Sequence, residues 1–235
     1  MSETMMVIAI DGPAASGKST VSRAVAKALG LNYVDSGAMY RAVAWKALQN
    51  GVNVEDPVAV IGMLHTVKIH FEPAEGEVRM LIDGVYPGAA IRSPRVTGKV
   101  SIIAAIPEVR HILVRHQRSL TKFGGWGMEG RDIGSVVFPD TPYKFYLDAN
   151  PEVRAGRRKR DLEAMKIRAT KETVAKSIRR RDMKDSGRSM SPLQIALGAK
   201  VVDNSRLTAE ETAKLIVERI REQDRSRNKT SGLAL

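Results

Sequence analysis

Cysteine is absent from the 235 residues, which excludes disulfide bridges and cysteine-ligated metal sites. Aromatic residues are scarce, at 5%, whereas hydrophobic residues reach 43%, so the core has to be built from Val, Ile, Leu, Ala and Met. No apolar run approaches the roughly 20 residues of a membrane-spanning helix. Met5–Ile10 is too short for the apolar region of a signal peptide, and no basic stretch precedes it. We therefore expect a cytoplasmic protein without a membrane partner.

Acidic residues are outnumbered, at 26 against 38 Lys and Arg, which gives a net charge of +12. The excess is uneven, because residues 151–190 hold 14 basic and 6 acidic residues and so carry 8 of the 12 net charges. A local cluster of this kind is suited to a small polyanion such as a triphosphate as well as to nucleic acid.

Apolar patterns alternate between strand and helix along most of the chain, which predicts an α/β fold with a parallel sheet. The exception is the region around Gly76, where two alternating runs predict an antiparallel hairpin outside that sheet. A strand at 126–129 is poorly supported, because Gly125 and Gly127 weaken it and leave its packing in doubt. The predicted strands are 5–10, 31–34, 67–71, 78–82, 126–129, 143–148 and 200–203. The predicted helices are 18–29, 38–49, 56–65, 152–167, 171–185 and 208–221, with further helix starts at Ser93–Pro94 and Pro107.

Residues 12–19 read G-P-A-A-S-G-K-S and match the phosphate-binding P-loop pattern at every fixed position. The glycines let backbone N–H groups turn inward around a phosphate, and the following helix adds a partial positive charge. Lys18, which we expect to be exposed, would reach the β- and γ-phosphates of ATP, and the Ser19 hydroxyl would coordinate Mg²⁺. The predicted ATP contacts are Gly12, Pro13, Ala14, Ala15, Ser16, Gly17, Lys18, Ser19 and Thr20. Because ATPases, GTPases, helicases and small-molecule kinases share this loop, the rest of the chain must identify the reaction.

Residues 35–41 read D-S-G-A-M-Y-R and follow the second predicted strand. The carboxyl end of a strand in an open α/β sheet faces the ligand crevice, so Ser36 and Arg41 are candidate phosphate contacts. An ordinary capped helix with a surface arginine would give the same pattern.

Two later segments complete a series of four: residues 129–140 read E-G-R-D-I-G-S-V-V-F-P-D and residues 181–188 read R-D-M-K-D-S-G-R. In this order the four segments resemble the bacterial cytidylate kinase family, whose members are nucleoside monophosphate kinases that favour CMP and dCMP. The resemblance covers roughly residues 5–221 and includes the helix start at Ile91–Pro94 and the Gln117–Arg118 pair after Arg110. The second and third segments carry it, because the P-loop is widely shared.

The resemblance implies a P-loop NTPase-type parallel sheet flanked by helices, with an inserted antiparallel NMP-binding subdomain and a helical lid. On this basis we expect one kinase domain over residues 1–235, acting as a monomer. The expected parts are a core of 1–62, 107–150 and 192–223, a CMP-binding subdomain of 63–106, a lid of 151–191 and a disordered tail of 224–235.

The resemblance also assigns roles to single residues. It implies catalytic roles for Lys18, Arg131, Arg157 and Arg181, with Arg157 also binding ATP. Arginine suits such a site, because its planar fork bonds phosphate oxygens in pairs and keeps its charge. The residues implied for CMP binding are Ser36, Tyr40, Arg41, Ser101, Arg110, Gly130, Arg131, Asp132, Arg181, Asp185 and Arg188.

Two of the acidic residues have a chemical argument of their own. Cytosine carries an exocyclic amino donor that Asp132 could accept from, whereas uracil would present a carbonyl oxygen to the same carboxylate. Glu129 ends a predicted strand beside the P-loop and is a candidate for holding a Mg²⁺-bound water, along with Ser19.

Two alternatives stay open at this point. The acceptor could be UMP, AMP or a hydroxy acid, with Asp132 and Ser101 as the discriminating residues. The chain could instead be a nucleic-acid-binding ATPase, for which the Arg157–Arg160 run would be a binding arm. The lack of aromatic residues for base stacking in the basic region argues against nucleic acid, so we expect no such partner.

Overall fold

The structure is a computed structural model that describes residues 5–231, with side chains described through Arg227. Within that range seven strands form one sheet. They are β1 Val7–Asp11, β2 Asn32–Asp35, β3 Ile69–Ala74, β4 Glu77–Ile82, β5 Trp126–Gly130, β6 Tyr143–Asp148 and β7 Lys200–Asp203. The spatial order is β3-β4-β2-β5-β1-β6-β7, and the five strands from β2 to β7 pair in parallel. The predicted α/β architecture is therefore confirmed.

Helices cover both faces of this sheet. They are α1 Lys18–Ala28, α2 Ser36–Gln49, α3 Pro57–Thr66, α4 Pro94–Thr97, α5 Val100–Ile103, α6 Pro107–Ser119, α7 Pro151–Ala164, α8 Lys171–Ser186 and α9 Ala209–Ser231. Short 3₁₀ turns at Gly88–Arg92 and Leu120–Phe123, and a π-helical turn at Ile133–Val137, had no counterpart in the sequence prediction. Nor did α5.

The C-terminal helix is longer than expected. Disorder was predicted from residue 224, but α9 continues to Ser231, and residues 232–235 lie outside the described residues. The extension is tied to the start of β6: the Tyr143 hydroxyl donates to the Asp224 carboxylate, and the Gln223 amide donates to the Pro142 carbonyl at 2.9 Å. The tail was expected to be disordered because its residues are polar, but these contacts hold the start of it in the helix.

The hairpin of β3 and β4 is antiparallel, as predicted. It does not stand apart from the sheet, however, because β4 extends the sheet beyond β2 through one parallel pair, Tyr33 with Glu77. The predicted residues 63–106 thus contain the end of α3, the hairpin at the edge of the main sheet, and the short helices α4 and α5.

Strand β5, whose glycines left its packing in doubt, lies at the centre of the sheet and is fully buried. A β-carbon at Gly127 would lie 3.0 Å from the Ala26 β-carbon, so the glycine allows α1 to pack closely on the sheet. The Trp126 side chain is buried, and its indole N–H donates to the Leu120 carbonyl at 2.8 Å. Glycine at this strand is therefore a packing requirement of the neighbouring helix.

The hydrophobic core has two main parts. The larger one packs α2, α3 and α6 on the sheet, and the smaller one packs α1 and α9 on it. A separate apolar cluster, formed by Ala14, Ala155, Val174 and Ile178, joins the P-loop to α7 and α8. Among the described residues, no helix is both long enough and apolar enough to cross a bilayer.

Candidate active site

The P-loop, residues 12–19, connects β1 to α1 at the edge where the parallel strands end. Gly12 has φ +154°, and a β-carbon there would lie 2.1 Å from the Leu147 carbonyl oxygen, so no side chain fits. Gly17 has φ +92° at the start of α1. Ala15 is the strained member, with φ +59° although it is not glycine. Left-handed backbone at such a residue costs about 1–3 kcal/mol and persists where the surroundings impose it.

Lys18 is buried, contrary to the expectation that it would be exposed. Its ammonium donates to the Pro13 carbonyl at 2.6 Å and to the Ser16 hydroxyl at 3.3 Å, because the loop curls around the side chain. Burial, followed by the charge of Arg131, lowers the pKa of Lys18 to about 7. The loop therefore holds a lysine whose charge depends on a nearby anion.

Arg157 reaches the back of the P-loop from α7. It donates to the Ser16 carbonyl at 3.1 Å and to the Asn204 side-chain oxygen at 3.0 Å. Asn204, which is buried, donates to the same Ser16 carbonyl at 3.0 Å. Asn204 was not predicted from the sequence, because a lone asparagine after the last strand matches no motif.

Glu129 ends β5 beside the first turn of α1. Its carboxylate accepts from the Tyr33 hydroxyl at 2.6 Å and is hydrogen-bonded to the Ser19 side chain. Burial, followed by the Asp35 charge, raises the pKa of Glu129. The described residues contain no cluster of three or more His, Asp or Glu that could hold a metal by themselves. A hydroxyl beside a carboxylate nevertheless fits Mg²⁺, which takes one or two protein oxygens and fills its shell with phosphates and water.

Asp35 and Ser36 shape the end of β2. The Asp35 carboxylate caps α2 by accepting from the Ala38 N–H at 2.9 Å, and it pairs with Arg41 at 2.6 Å and with Arg92 at 3.1 Å. Burial opposes ionisation, but the two arginines hold the pKa of Asp35 below its usual value. The Ser36 hydroxyl donates to the Glu129 carbonyl at 2.7 Å. The ion pair with Asp35 fixes Arg41 at the carboxyl end of β2.

Arg110 and Asp132 form a buried ion pair at the far side of the cavity. Arg110 also donates to the Ala104 carbonyl at 3.1 Å and lies over the Tyr40 ring at 5.3 Å. Burial raises the pKa of Tyr40 to about 12, which keeps its hydroxyl protonated. The arrangement offers one acceptor and several donors on rigid elements, which suits a base edge that carries both kinds of group.

Asp185 of α8 stands among three arginines. Arg131 donates to its carboxylate at 2.9 Å, whereas Arg181 lies 4.0 Å and Arg188 3.9 Å from it. Burial, followed by the charge of Arg131, lowers the pKa of Arg181 to about 10. One carboxylate cannot balance three guanidinium groups, so this region is suited to bind anions.

These groups line one cavity of about 1530 Å³. Two predicted residues, Gly12 and Pro13, are not on its wall: Gly12 permits close packing, and Pro13 supplies a carbonyl to Lys18. The predicted residues that line it are Ala14, Ala15, Ser16, Gly17, Lys18, Ser19, Thr20, Ser36, Tyr40, Arg41, Ser101, Arg110, Glu129, Gly130, Arg131, Asp132, Arg157, Arg181, Asp185 and Arg188.

Asp11 supports this cavity from behind and was also missed. Its carboxylate accepts from the N–H groups of Ile133 and Gly134, each at 2.8 Å, and so ties the end of β1 to the turn after Asp132. Burial raises the pKa of Asp11 to about 7. The sequence indicated only that the first strand ends at an Asp-Gly pair.

Comparison with known proteins places the four segments in one family. The family model described as "Cytidylate kinase" matches residues 8–222. The cytidylate kinase of Caldanaerobacter subterraneus subsp. tengcongensis is 44% identical over 214 residues, which cover 91% of this chain and 94% of that protein. The cytidylate kinases of Pelotomaculum thermopropionicum and Ligilactobacillus salivarius are 43% and 42% identical, over 91% and 92% of this chain and 95% and 97% of their own lengths.

Proposed function

This chain belongs to the cytidylate kinase family, and from that premise we propose that its cavity binds ATP and CMP together so that the γ-phosphoryl group passes directly between them. A phosphate oxygen of CMP attacks the γ-phosphorus, the bond from that phosphorus to the bridging oxygen breaks, and ADP leaves as CDP forms. The observation that best supports this assignment is that Lys18 and the Arg110–Asp132 pair line the same cavity.

The P-loop holds the donor. Its inward N–H groups and the start of α1 bind the phosphates of ATP, and Lys18 binds the β- and γ-phosphates. The phosphates restore the charge of Lys18, whose pKa burial lowers to about 7. Arg157 binds ATP from α7 beside Ser16.

Arginines and hydroxyls hold the acceptor at the other end. Ser36, Arg41 and Arg131 bind the phosphate of CMP, and Arg181 and Asp185 contact its ribose. Asp132 accepts from the cytosine amino group while Arg110 donates to the ring acceptors, with Ser101 and Arg188 beside them. The same contacts accept dCMP, because the base and phosphate contacts do not involve the 2′-hydroxyl.

Catalysis rests on the charge between the two nucleotides. The transferred group passes through a transition state with charge spread over its oxygens, which fixed cations stabilise. Lys18, Arg131, Arg157 and Arg181 supply these cations. The burial of Lys18 and the partial burial of Arg181 strengthen their effect, because electrostatic interactions are larger where water is excluded.

Mg²⁺ fits beside these groups. Ser19 and Glu129 would hold it, with most of its ligands being phosphate oxygens and water. When bound, the ion would neutralise part of the negative charge of the ATP phosphates.

One chain supplies every residue of this assignment, which supports a monomer as the working unit. We place it in the cytoplasm, where ATP and Mg²⁺ are available to such an enzyme.

An assay of ADP release with ATP, Mg²⁺ and one acceptor at a time tests the proposal. CMP and dCMP should be turned over at comparable rates, UMP should be at least about tenfold poorer in kcat/KM because its O4 would face Asp132, and AMP should be poorer still. Turnover of AMP equal to that of CMP would overturn the assignment of the acceptor pocket.

A further inference from the structure

The peptide groups of Ala14, at the apex of the P-loop, are held from outside the loop. The Ala14 N–H donates to the Asp182 carboxylate at 2.9 Å, and the Ala14 carbonyl accepts from the Arg154 guanidinium at 3.1 Å. Asp182 belongs to α8 and Arg154 to α7. A single loop residue is therefore bound by both helices of the predicted lid.

The two holding residues are also bound to each other. Arg154 and Asp182 form an ion pair at 2.5 Å, and Arg154 donates in addition to the Ala149 carbonyl at 3.2 Å. Arg154 is buried, and the Asp182 side chain is 19% exposed. Charged hydrogen bonds of this kind are shorter and about twice as strong as neutral ones. Ala14, Arg154 and Asp182 thus make a closed triangle, here called the Ala14 clamp.

Apolar packing reinforces the clamp. Ala14 lies in a cluster with Ala155 of α7 and with Val174 and Ile178 of α8, and Ala15 packs against its border. Asp182 follows Ile178 by one helical turn, so the polar and apolar contacts lie on the same face of α8. The loop apex and the two helices therefore dock as one unit.

The residue next to the clamp carries the backbone strain of the loop. Ala15 has φ +59°, a conformation that an alanine keeps only where its surroundings impose it. Phosphate binding depends on the direction of the N–H groups that follow Ala14, and that direction depends on the peptide between Ala14 and Ala15. The clamp fixes one side of this peptide through the Ala14 carbonyl.

We propose that Asp182 and Arg154 are positioning residues for phosphoryl transfer, which hold Ala14 so that Ala15 keeps its left-handed conformation and the loop stays shaped for the phosphates of ATP. This inference rests on the proposed function of the P-loop as the ATP site. The docking of α7 and α8 on the P-loop and the conformation of that loop are then coupled, because both depend on the ion pair of Arg154 with Asp182.

The test compares Asp182→Ala with a matched control on the same lid. Glu163→Ala breaks the exposed ion pair of Glu163 with Lys159 on α7, whose side chains are 52% and 41% exposed. Asp182→Ala should weaken Mg-ATP binding, measured by titration calorimetry without CMP, and lower kcat about tenfold to a hundredfold. The KM for CMP should rise less than the dissociation constant for ATP, because the clamp binds the P-loop directly and affects the acceptor residues of α8 only through the position of that helix. Glu163→Ala should match the unaltered enzyme in every measurement.

Repeating the Asp182→Ala comparison in an Ala15→Gly variant distinguishes a role in positioning the P-loop from a general contribution to stability. Glycine adopts left-handed backbone without the steric cost that alanine carries, so Ala15→Gly lets the loop keep this conformation without the clamp. The loss in ATP affinity and kcat on Asp182→Ala should therefore be smaller in the Ala15→Gly background. Thermal unfolding of the unaltered enzyme, the two single variants at positions 15 and 182 and their double variant checks that each protein is folded. If Asp182→Ala cannot be purified, Arg154→Lys replaces it in the same comparison.

Three results would overturn the proposal: Asp182→Ala behaving like Glu163→Ala, an equal loss in both backgrounds, or a KM for CMP that rises as far as the dissociation constant for ATP. Failure of the proposed function would look different. The unaltered enzyme would then bind Mg-ATP without phosphorylating CMP. Titration of Asp182→Ala and Glu163→Ala with Mg-ATP would still test the role of the clamp.

Discussion

The donor and acceptor ends of the cavity are both built from buried charge, but they are assembled differently. Lys18 finds its partners two and five residues away, at Ser16 and Pro13. The acceptor end joins Arg110 to Asp132 across 22 residues and Arg131 to Asp185 across 54. A short segment therefore holds the lysine of the donor end, although Asp182 and Arg154 hold its loop from distant helices. At the acceptor end, by contrast, the ion pairs themselves join distant segments. Substitutions at the donor end should therefore lower the rate of phosphoryl transfer, and substitutions at the acceptor end should change the choice of acceptor.

The largest effect should come from the donor end. Lys18→Ala should lower kcat by about 100- to 1,000-fold, because it removes a cation that binds the group being transferred. Since the lysine is buried with a pKa lowered to about 7, its removal also relieves a buried charge, and the melting temperature at pH 6 should not fall.

Steady-state kinetics and thermal unfolding measure both effects of Lys18→Ala. Lys27→Ala, at the exposed end of the same helix, is the control and should leave both unchanged. Near-normal turnover of Lys18→Ala would contradict the assignment of the donor end.

The next effect should come from the acceptor end. Asp132→Ala should raise the KM for CMP by about tenfold to a hundredfold, because the cytosine amino group loses its acceptor at about 1–3 kcal/mol. The KM for ATP should change by less than about twofold, because Asp132 pairs with Arg110 and is not among the residues assigned to ATP.

Asp132→Asn sharpens the comparison, because an amide can donate to the O4 of uracil. The ratio of kcat/KM for CMP over UMP should fall, while a melting curve shows that the buried partner Arg110 is still accommodated. A proportional loss for CMP, UMP and ATP alike would mean that Asp132 supports the fold rather than reads the base.

The third effect is a difference in pH dependence between the KM for ATP and the KM for CMP. Burial and Arg131 lower the pKa of Lys18 to about 7, so above pH 7 the free enzyme loses this charge, and binding of ATP must take up a proton. The KM for ATP should therefore rise with pH above 7, by at most about tenfold per unit. Glu129 and Asp11 oppose the shift, and Arg181 adds to it.

The acceptor phosphate is held by arginines, which stay charged, so the KM for CMP should not follow the same profile. Lys18→Arg should flatten the dependence for ATP. Parallel profiles for both substrates, or an unaltered slope in Lys18→Arg, would remove Lys18 as the cause.

The smallest effect should come from a surface ion pair that belongs to neither end. Glu77 of β4 pairs with Arg23 of α1 at 2.5 Å, with both side chains nearly half exposed. Glu77→Gln should lower the free energy of unfolding by about 0.2–1 kcal/mol without changing kcat. Urea denaturation at low and high salt measures it, and the difference should shrink as salt screens the pair. A larger, salt-independent loss would show that the hairpin depends on this residue for more than its charge.

The difference in assembly also explains what the sequence could predict. The strand and helix that flank the P-loop, and the strands Tyr143–Asp148 and Lys200–Asp203, were predicted from local pattern, and the structure confirms them. The phosphate-binding role of the loop stays a prediction. The acceptor residues came through the family resemblance, because no spacing rule joins Arg110 to Asp132.

The residues that were missed share one property. Asn204, Asp11 and Asp182 act through backbone groups of distant segments, at Ser16, Ile133 and Ala14 respectively. Any backbone offers the same N–H and carbonyl groups, so nothing in the partner segment marks the contact. The burial of Lys18 was mispredicted for a related reason, because the loop closes over the side chain with its own carbonyl.

The close approach of α1 to β5 also limits how this chain can change by descent. Gly127 and Ala26 leave no room for another carbon between them, and α1 begins with Lys18. A side chain at position 127 requires α1 to shift by a few tenths of an ångström, and Lys18 at the start of that helix would shift with it. Gly127 and Ala26 lie outside the active site, but in evolution they can be replaced only by compensating changes at both positions.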